Sequence, residues 1–223
     1  MSLKTAKNHP MPFTRIEVAV LSVVDNELQV LLAKRAEAPY AGKWALPGGV
    51  VRIDLDKSLE ASAQRVIAER LDTVIPAMEQ LCAVGGPKRD PRADWALSIV
   101  FKAFVPFNQI SVSAGKRIES LAWRPVEQAI ADENLAFDHA DLINRAVTAT
   151  REQIDALVLP AGLLEEQFTL GDLQSTCEQV LGRKLDKSSL RRKLNNRNIV
   201  EAVEGATRGG AFRPAQLYRL VSQ

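Results

Sequence analysis

The chain changes its rhythm of apolar and polar positions once, near residue 150. Before that point strand-like and helix-like stretches alternate. IEVAVLSVV, a turn at Asp25-Asn26 and LQVLLAKR predict a hairpin of two partly buried strands. WALPGGVV continues as strand and loop. SLEASAQRVIAERL places apolar or small residues at helical spacing, with Ser58 as its cap. MEQLCAVGG, ALSIVFKAFVP and SLAWRPV predict further strands. VEQAIADE and DHADLINRAVTATREQIDAL predict helices, the second with Asp138 as candidate N-cap. The fold class is α/β, a domain with a mixed sheet ending near residue 150, its last helix running on as a connector.

After PAGLLEEQF the pattern becomes three helix-like segments and a short β ribbon. In TLGDLQSTCEQVLG, Thr169 and Asp172 have capping-box spacing and Gly182 stops the helix. LDKSSLRRKLNNRN is a compact basic helix whose cap is Asp186 or Ser188. IVEAVEG and AQLYRLV read as two strands joined by a glycine-rich loop, TRGGAFRP. Helix, turn, basic helix and ribbon is the order of a winged helix-turn-helix. The expected organisation is a flexible N-terminus (1–12), an α/β domain (13–150), a connector (151–163) and a winged domain (164–223). No internal repeat or low-complexity tract interrupts it.

Charge sharpens this picture. The net charge of +2 hides a local imbalance: residues 183–219 carry ten basic and three acidic side chains, whereas residues 1–150 carry 18 of each. A concentrated excess of +7 is the footprint of nucleic-acid binding, or else a solvated basic helix. No apolar run approaches the roughly 20 residues that cross a bilayer, and the polar N-terminus lacks an apolar signal core, so a cytoplasmic protein is expected. Cys82 and Cys177 lie far apart and are expected to be reduced thiols rather than a metal site.

The stretch from KWALPGG to RVIAERLDT resembles the Nudix box, a glycine, then a glutamate, then R-E-U-x-E-E-x-G-U with U aliphatic. In that family, carboxylates spaced three and four residues apart on one helix face hold divalent cations against a nucleoside diphosphate. Aligned on Arg65, the carboxylate positions hold Val66, Glu69 and Arg70; the usual glycine is Asp72, and Gly49 to Arg65 is two residues longer than the consensus. A guanidinium ~4 Å from a cation costs roughly 4 kcal/mol per unit charge at an effective dielectric near 20, so hydrolysis is not expected and no catalytic or metal-ligating residue is assigned. Arg65 and Glu69 read either as cleft residues or as an ordinary i,i+4 pair. The cleft can keep a diphosphate guest without ions: Gly48 and Gly49 shape it, and Arg35, Arg52 and the RDPR segment (Arg89, Asp90, Arg92) supply charge. Trp44 walls an adenine or is core. His139, at a helix start, reads as a structural contact rather than a base. The competing reading is an active hydrolase cleaving ADP-ribose or a relative, its ion site rebuilt from Asp54, Asp56 or Glu60 in the longer loop.

The whole chain, roughly residues 13 to 221, resembles the Nudix-related transcriptional regulators of bacteria, of the NAD-metabolism repressor type. LAFDHADLI, FTLGDLQ, LDKSSLRRKL and FRPAQLYRL carry the resemblance, in that order behind the Nudix-like stretch. It implies a Nudix α/β/α sandwich followed by a winged helix, a homodimer that grips an operator on double-stranded DNA, and a Nudix domain that senses ADP-ribose or a related nucleotide with no cofactor required and no membrane partner. The second helix of such a module enters the major groove. Here it presents Lys187, Ser188, Ser189, Arg191, Arg192 and Lys193, followed by Asn195 and Arg197. Arg208, Gly209, Gly210 and Arg213 form a basic wing for phosphates or the minor groove, or else an ordinary hairpin turn. Leu190, Leu194, Leu217 and Tyr218 are expected in the core.

Overall fold

The computed structural model describes residues 11–209 and 214–221. Strands β1 (Phe13–Val24) and β2 (Glu27–Arg35) form the expected hairpin. Asp25 and Asn26 both take positive φ, 50° and 64°, as a tight two-residue hairpin turn demands. Around this hairpin a seven-stranded mixed sheet assembles from β3 (Trp44–Ala45), β4 (Gly48–Val50), β5 (Glu79–Pro87), β6 (Trp95–Phe104) and β7 (Ile118–Pro125). The strand order is β3-β2-β1-β6-β5, with β4 also paired to β1 and β7 to β2. Only β1 and β6 run parallel; the other pairs are antiparallel.

The period of two along β1 sets the layers. Ile16, Val18 and Val20 join the apolar cluster beneath helix α1 (Leu59–Leu71), together with Val66, Ile67 and Leu71. Ala19 and Leu21 belong to the opposite cluster, under helix α3 (His139–Asp155), where Leu142, Ile143, Ala146 and Val147 are packed. The short helix α2 (Val126–Ile130) covers the same face. Because both faces are covered, β1 is apolar almost throughout. Its odd-numbered face carries two charged exceptions, Arg15 and Glu17.

Local chemistry ends α1 as the sequence suggests, but not α3. The Ser58 hydroxyl accepts from Ala61 N, and Asp72 ends α1 in the left-handed region with φ 50°. Asp138 stands at the N-cap position of α3 but caps nothing; its carboxylate instead takes Arg89 through two hydrogen bonds of 2.7 and 2.8 Å. A bidentate guanidinium is a stronger partner than one backbone N–H.

The C-terminal module has two helices rather than three segments: α4 (Leu170–Leu181) and α5 (Lys187–Asn196), followed by strands β8 (Val200–Arg208) and β9 (Ala215–Leu220). Thr169 and Asp172 complete the capping box, Gly182 closes α4 at φ 68°, and Asp186 is the cap of α5. Strand β8 runs through Arg208 and so absorbs the start of the stretch read as loop. Phe168 bridges Tyr218, giving the ribbon a third short edge. Leu173, Cys177, Val180, Leu190 and Leu194 are buried, whereas Leu217 and Tyr218 are half-buried. The core of this module is continuous with the α3 face of the sheet through Leu157, Leu163 and Phe168. The connector passes so close to the end of β6 that a Cβ on Gly162 would lie 2.2 Å from Phe104 O, and φ there is +81°. That position requires glycine.

Candidate functional site

A cleft of about 280 Å³ opens where β4, the N-terminal part of β1, the end of β2 and helix α1 converge. Its lining holds eight cationic side chains, Arg15, Arg35, Arg52, Arg65, Arg70, Arg92, Lys116 and Arg117, against only two carboxylates, Glu37 and Glu69. Burial lowers the pKa of Arg35, and Arg15 and Arg92 push it the same way. Burial also lowers that of Arg70, with Arg117 and Arg15 adding to the effect. Both remain charged, so the cleft stores like-charge crowding that an arriving anion relieves.

Several of these groups are held by their own contacts. Arg70 Nε donates to Gly48 O at 2.9 Å and its Nη1 to Lys116 O at 2.6 Å, so the guanidinium bridges β4 and the turn that leads into β7. Arg65 is clamped on Asp56 by bonds of 2.7 and 2.8 Å and donates to Val50 O, while Glu69 stands at 3.5 Å. The ordinary i,i+4 pair is therefore present but secondary. The pair of hydrogen bonds from Arg65 holds the Asp56 carboxyl well below the usual carboxylate range. Val66 faces inward, only 1% exposed. Gly48 is packed over Glu17: a Cβ there would meet its carboxylate oxygen at 1.7 Å. Gly49 borders Val66 rather than the cleft, with Val66 Cγ2 2.8 Å from where its Cβ would stand.

Three further residues expected to face the guest do not. Trp44 lies on an edge strand, packs against the α3-side core and stacks under the Arg124 guanidinium at 4.6 Å; it does not line the cleft. Arg89 is spent on Asp138 and Ser98. Asp90 is buried and holds Arg92, which does reach the cleft. Conversely Arg15, Lys116 and Arg117 line the cleft without having been singled out. Arg15 had one signal in the sequence, a charge alternating with Glu17 on a face of an otherwise apolar strand. The pair is buried, with Arg15 Nε 2.7 Å from Glu17 Oε1.

Two of the three carboxylates that could rebuild an ion site are occupied by arginines. The third, Glu60, is exposed on the first turn of α1 and does not line the cleft. Asp54 takes Arg52 through two bonds of 3.0 and 2.7 Å, and Asp56 takes Arg65. Among the described residues no group of three or more His, Cys, Asp or Glu side chains could hold a metal ion. The divalent cation that a Nudix box implies does not fit these residues, because Arg70 and Val66 stand where its ligands belong.

His139 is a pin in the floor. Its Nδ1 accepts from Leu46 N at 2.9 Å, and burial pushes its pKa down to about 3. Since Nδ1 accepts, the neutral ring carries its proton on Nε2, toward Glu17 Oε2 at 3.8 Å. That oxygen is buried without a hydrogen-bond partner among the described residues. The unfolded chain protonates this histidine near pH 6.5 and the folded one does not, so stability falls as pH drops below that value. Between pH 7 and 5 the loss is about 2 kcal/mol. Denaturant titrations should show a shallower pH slope for His139→Gln; equal slopes would contradict the assignment.

The second charged surface is α5. Leu190 and Leu194 are buried, and Lys187, Ser188, Arg191, Arg192 and Asn195 form the exposed side. Among the described residues Lys187, Arg191, Arg192 and Lys193 have no ion-pair partner. Ser189 and Lys193 line a crevice that also holds Asp155, Arg183 and Asp186. Two other cations are already engaged: Arg197 donates to Ala156 O at 2.7 Å, and Arg208 pairs with Asp172 at 2.8 Å and Glu165 at 3.5 Å. Gly210 and Arg213, the rest of the expected wing, lie outside the described residues. None of the described helices is long and apolar enough to cross a membrane.

Comparison with known proteins adds the following. Residues 13–146 match the NUDIX domain family and residues 160–220 the NrtR DNA-binding winged helix domain. The chain is 35% identical over 216 residues to the ADPR responsive transcriptional repressor NtrR of Acinetobacter baylyi, covering 97% of this chain and 85% of that one. It superposes on the crystal structure of Shewanella oneidensis NrtR complexed with a 27mer DNA with a TM-score of 0.77 and 31% identity, over 93% of each chain. The NUDIX domain of Shewanella oneidensis NrtR complexed with ADP ribose matches with a TM-score of 0.58 and 31% identity, over 66% of this chain and 90% of that one.

Proposed function

The chain belongs to the NrtR family, a Nudix domain joined to a winged helix, and on that premise we propose that it is a transcriptional repressor whose operator binding responds to ADP-ribose. The observation that carries the reading is the cleft: eight cations against two carboxylates, on a Nudix scaffold joined to a module that presents unpaired cations on one helix. A diphosphate between two riboses is the guest such a lining favours, since each phosphate oxygen can take a fork of guanidinium donors. Arg15, Arg35, Arg70 and Arg92 hold it beside Gly48, whose missing side chain makes room for the Glu17 carboxylate; Arg52, Arg65 and Glu69 frame the entrance. Neutralisation that other Nudix proteins obtain from divalent ions comes here from arginines, so binding needs no cofactor and the guest is not hydrolysed.

On the DNA side, α5 lies in the major groove, with Arg191 and Arg192 offered to bases or phosphates and Lys187 and Ser188 at its leading end. Two copies bind, one to each half of a two-fold operator, in the cytoplasm. Binding of ADP-ribose releases the duplex. The test uses an operator selected from random-sequence duplex DNA, titrated in EDTA with and without ADP-ribose. Saturating ADP-ribose is expected to weaken operator binding by about tenfold or more, within the usual range of coupling between two sites. Operator affinity indifferent to ADP-ribose would defeat the sensing role, and release of AMP on adding Mg²⁺ would restore the hydrolase reading.

A further inference from the structure

Coupling of the kind just proposed needs an element in contact with both the cleft and the DNA-facing helix. We propose that Phe137 and the helix it introduces, α3, are that element: three of the four arginines that receive the guest lie over the Phe137 ring, and the far end of α3 holds the winged module. This inference rests on the reading of the cleft as an anion site.

At the cleft end, the Phe137 ring has Arg35 at 5.1 Å, Arg15 at 5.6 Å and Arg92 at 5.9 Å from its centroid, and all three line the cleft. Tyr40 meets the ring edge-on at 4.7 Å. Phe137 itself has φ 58°, in the left-handed region that a bulky aromatic rarely occupies, so its surroundings hold it there. The next two residues are tied to the same wall. Asp138 grips Arg89, and His139 accepts from Leu46 N while its ring lies 5.2 Å from that of Phe137. Much of LAFDHADLI, whose pattern marks the family but whose role the cleft alone does not explain, thus forms a junction between cleft and helix.

At the other end, about 25 Å away along a 17-residue helix, three consecutive links reach the DNA-binding module. Arg151 donates from Nε to Val180 O at 2.9 Å and from Nη2 to Glu127 at 2.9 Å. Asp155 pairs with Arg183, just past the end of α4. Ala156 O accepts from Arg197, the C-cap residue of α5. Between the ends, Leu142, Ile143, Ala146, Val147 and Ile154 keep one side of α3 in the core, so the helix moves as a unit rather than bending. A phosphate that takes Arg15, Arg35 and Arg92 draws them from the ring face, where cation–π attraction acts beside their bonds to Glu17, Pro39 O and Asp90. Phe137 is then free to leave its left-handed conformation, and the start of α3 shifts with it.

Two substitutions test this from opposite ends. Phe137→Leu keeps apolar bulk and removes the π face; Arg151→Ala cuts the link to Val180 and lies outside both the cleft and α5. ADP-ribose affinity is read by calorimetry, and operator affinity is read with and without saturating ADP-ribose. Each variant should bind either ligand alone within about threefold of wild type, while the factor by which ADP-ribose weakens operator binding falls below about threefold. A wild-type response in either variant overturns the proposal. So does a loss of ADP-ribose binding beyond about tenfold in Phe137→Leu, which would make Phe137 part of the pocket alone. If wild type itself shows no response to ADP-ribose, the reading of the cleft fails first and this inference goes with it.

Discussion

Replacing Arg191 and Arg192 together by alanine is expected to weaken operator binding by about two orders of magnitude near 0.15 M salt, and to lower the slope of log affinity against log salt by about 2. The reason is availability. Both side chains are exposed on α5, Arg192 opposite the buried Leu190 and Leu194 and Arg191 on the flank, and neither has an ion-pair partner among the described residues. Each phosphate neutralised releases counterions, which is what the salt slope counts. If one of the two reads a guanine edge instead, its single substitution costs about 1–3 kcal/mol and relaxes sequence preference at one base pair. Arg197→Ala should disturb the helix anchor more than the duplex contact, because that guanidinium is already bonded to Ala156 O. A double variant with unchanged salt slope would remove α5 from the interface.

The second large effect belongs to Arg70. ADP-ribose affinity should fall in the order Arg70→Lys, Arg70→Gln, Arg70→Glu: within about threefold, about tenfold, and more than about 100-fold. Lysine keeps the positive charge but loses the fork that bridges Gly48 O and Lys116 O. Glutamine removes the charge, and glutamate turns attraction for a diphosphate into repulsion of roughly 3 kcal/mol per unit charge at ~6 Å and an effective dielectric near 20. Calorimetry in EDTA measures the series. Equal losses for glutamine and glutamate would show that shape rather than charge governs the position.

What the sequence made legible was local. The β1–β2 hairpin turns on two residues that tolerate positive φ, the capping box of α4 is closed within four residues, and the alternation of β1 sorts the two core layers without reference to anything distant. The departures of Val66 and Arg70 from the Nudix pattern were equally visible, since both sit on the helix whose face the spacing fixes. Misplaced residues were those whose partners lie far along the chain. Asp138 chose Arg89, 49 residues away, over the adjacent helix end. Trp44 found Arg124; Asp90 is the local exception, the buried partner of Arg92 two residues on instead of facing a guest. Arg208 was expected to reach DNA, yet its guanidinium lies between Asp172 and Glu165. In each case a charged or aromatic side chain could satisfy itself in several ways, and tertiary proximity decided among them. Arg15 and Glu17 show the reverse: two opposite charges on one face of an otherwise apolar strand were a readable sign of a buried pair beside a site.

The central claim is that one thermodynamic coupling joins the arginine-lined cleft to α5, and a paired titration tests it most directly. ADP-ribose affinity is measured by calorimetry on the free protein and on its operator complex, and operator affinity is measured with and without saturating ADP-ribose in the same EDTA buffer. Linkage requires the two factors to be equal, and the account predicts a common weakening of about tenfold or more. Both ligands binding at full strength to the same protein, each indifferent to the other, would contradict it.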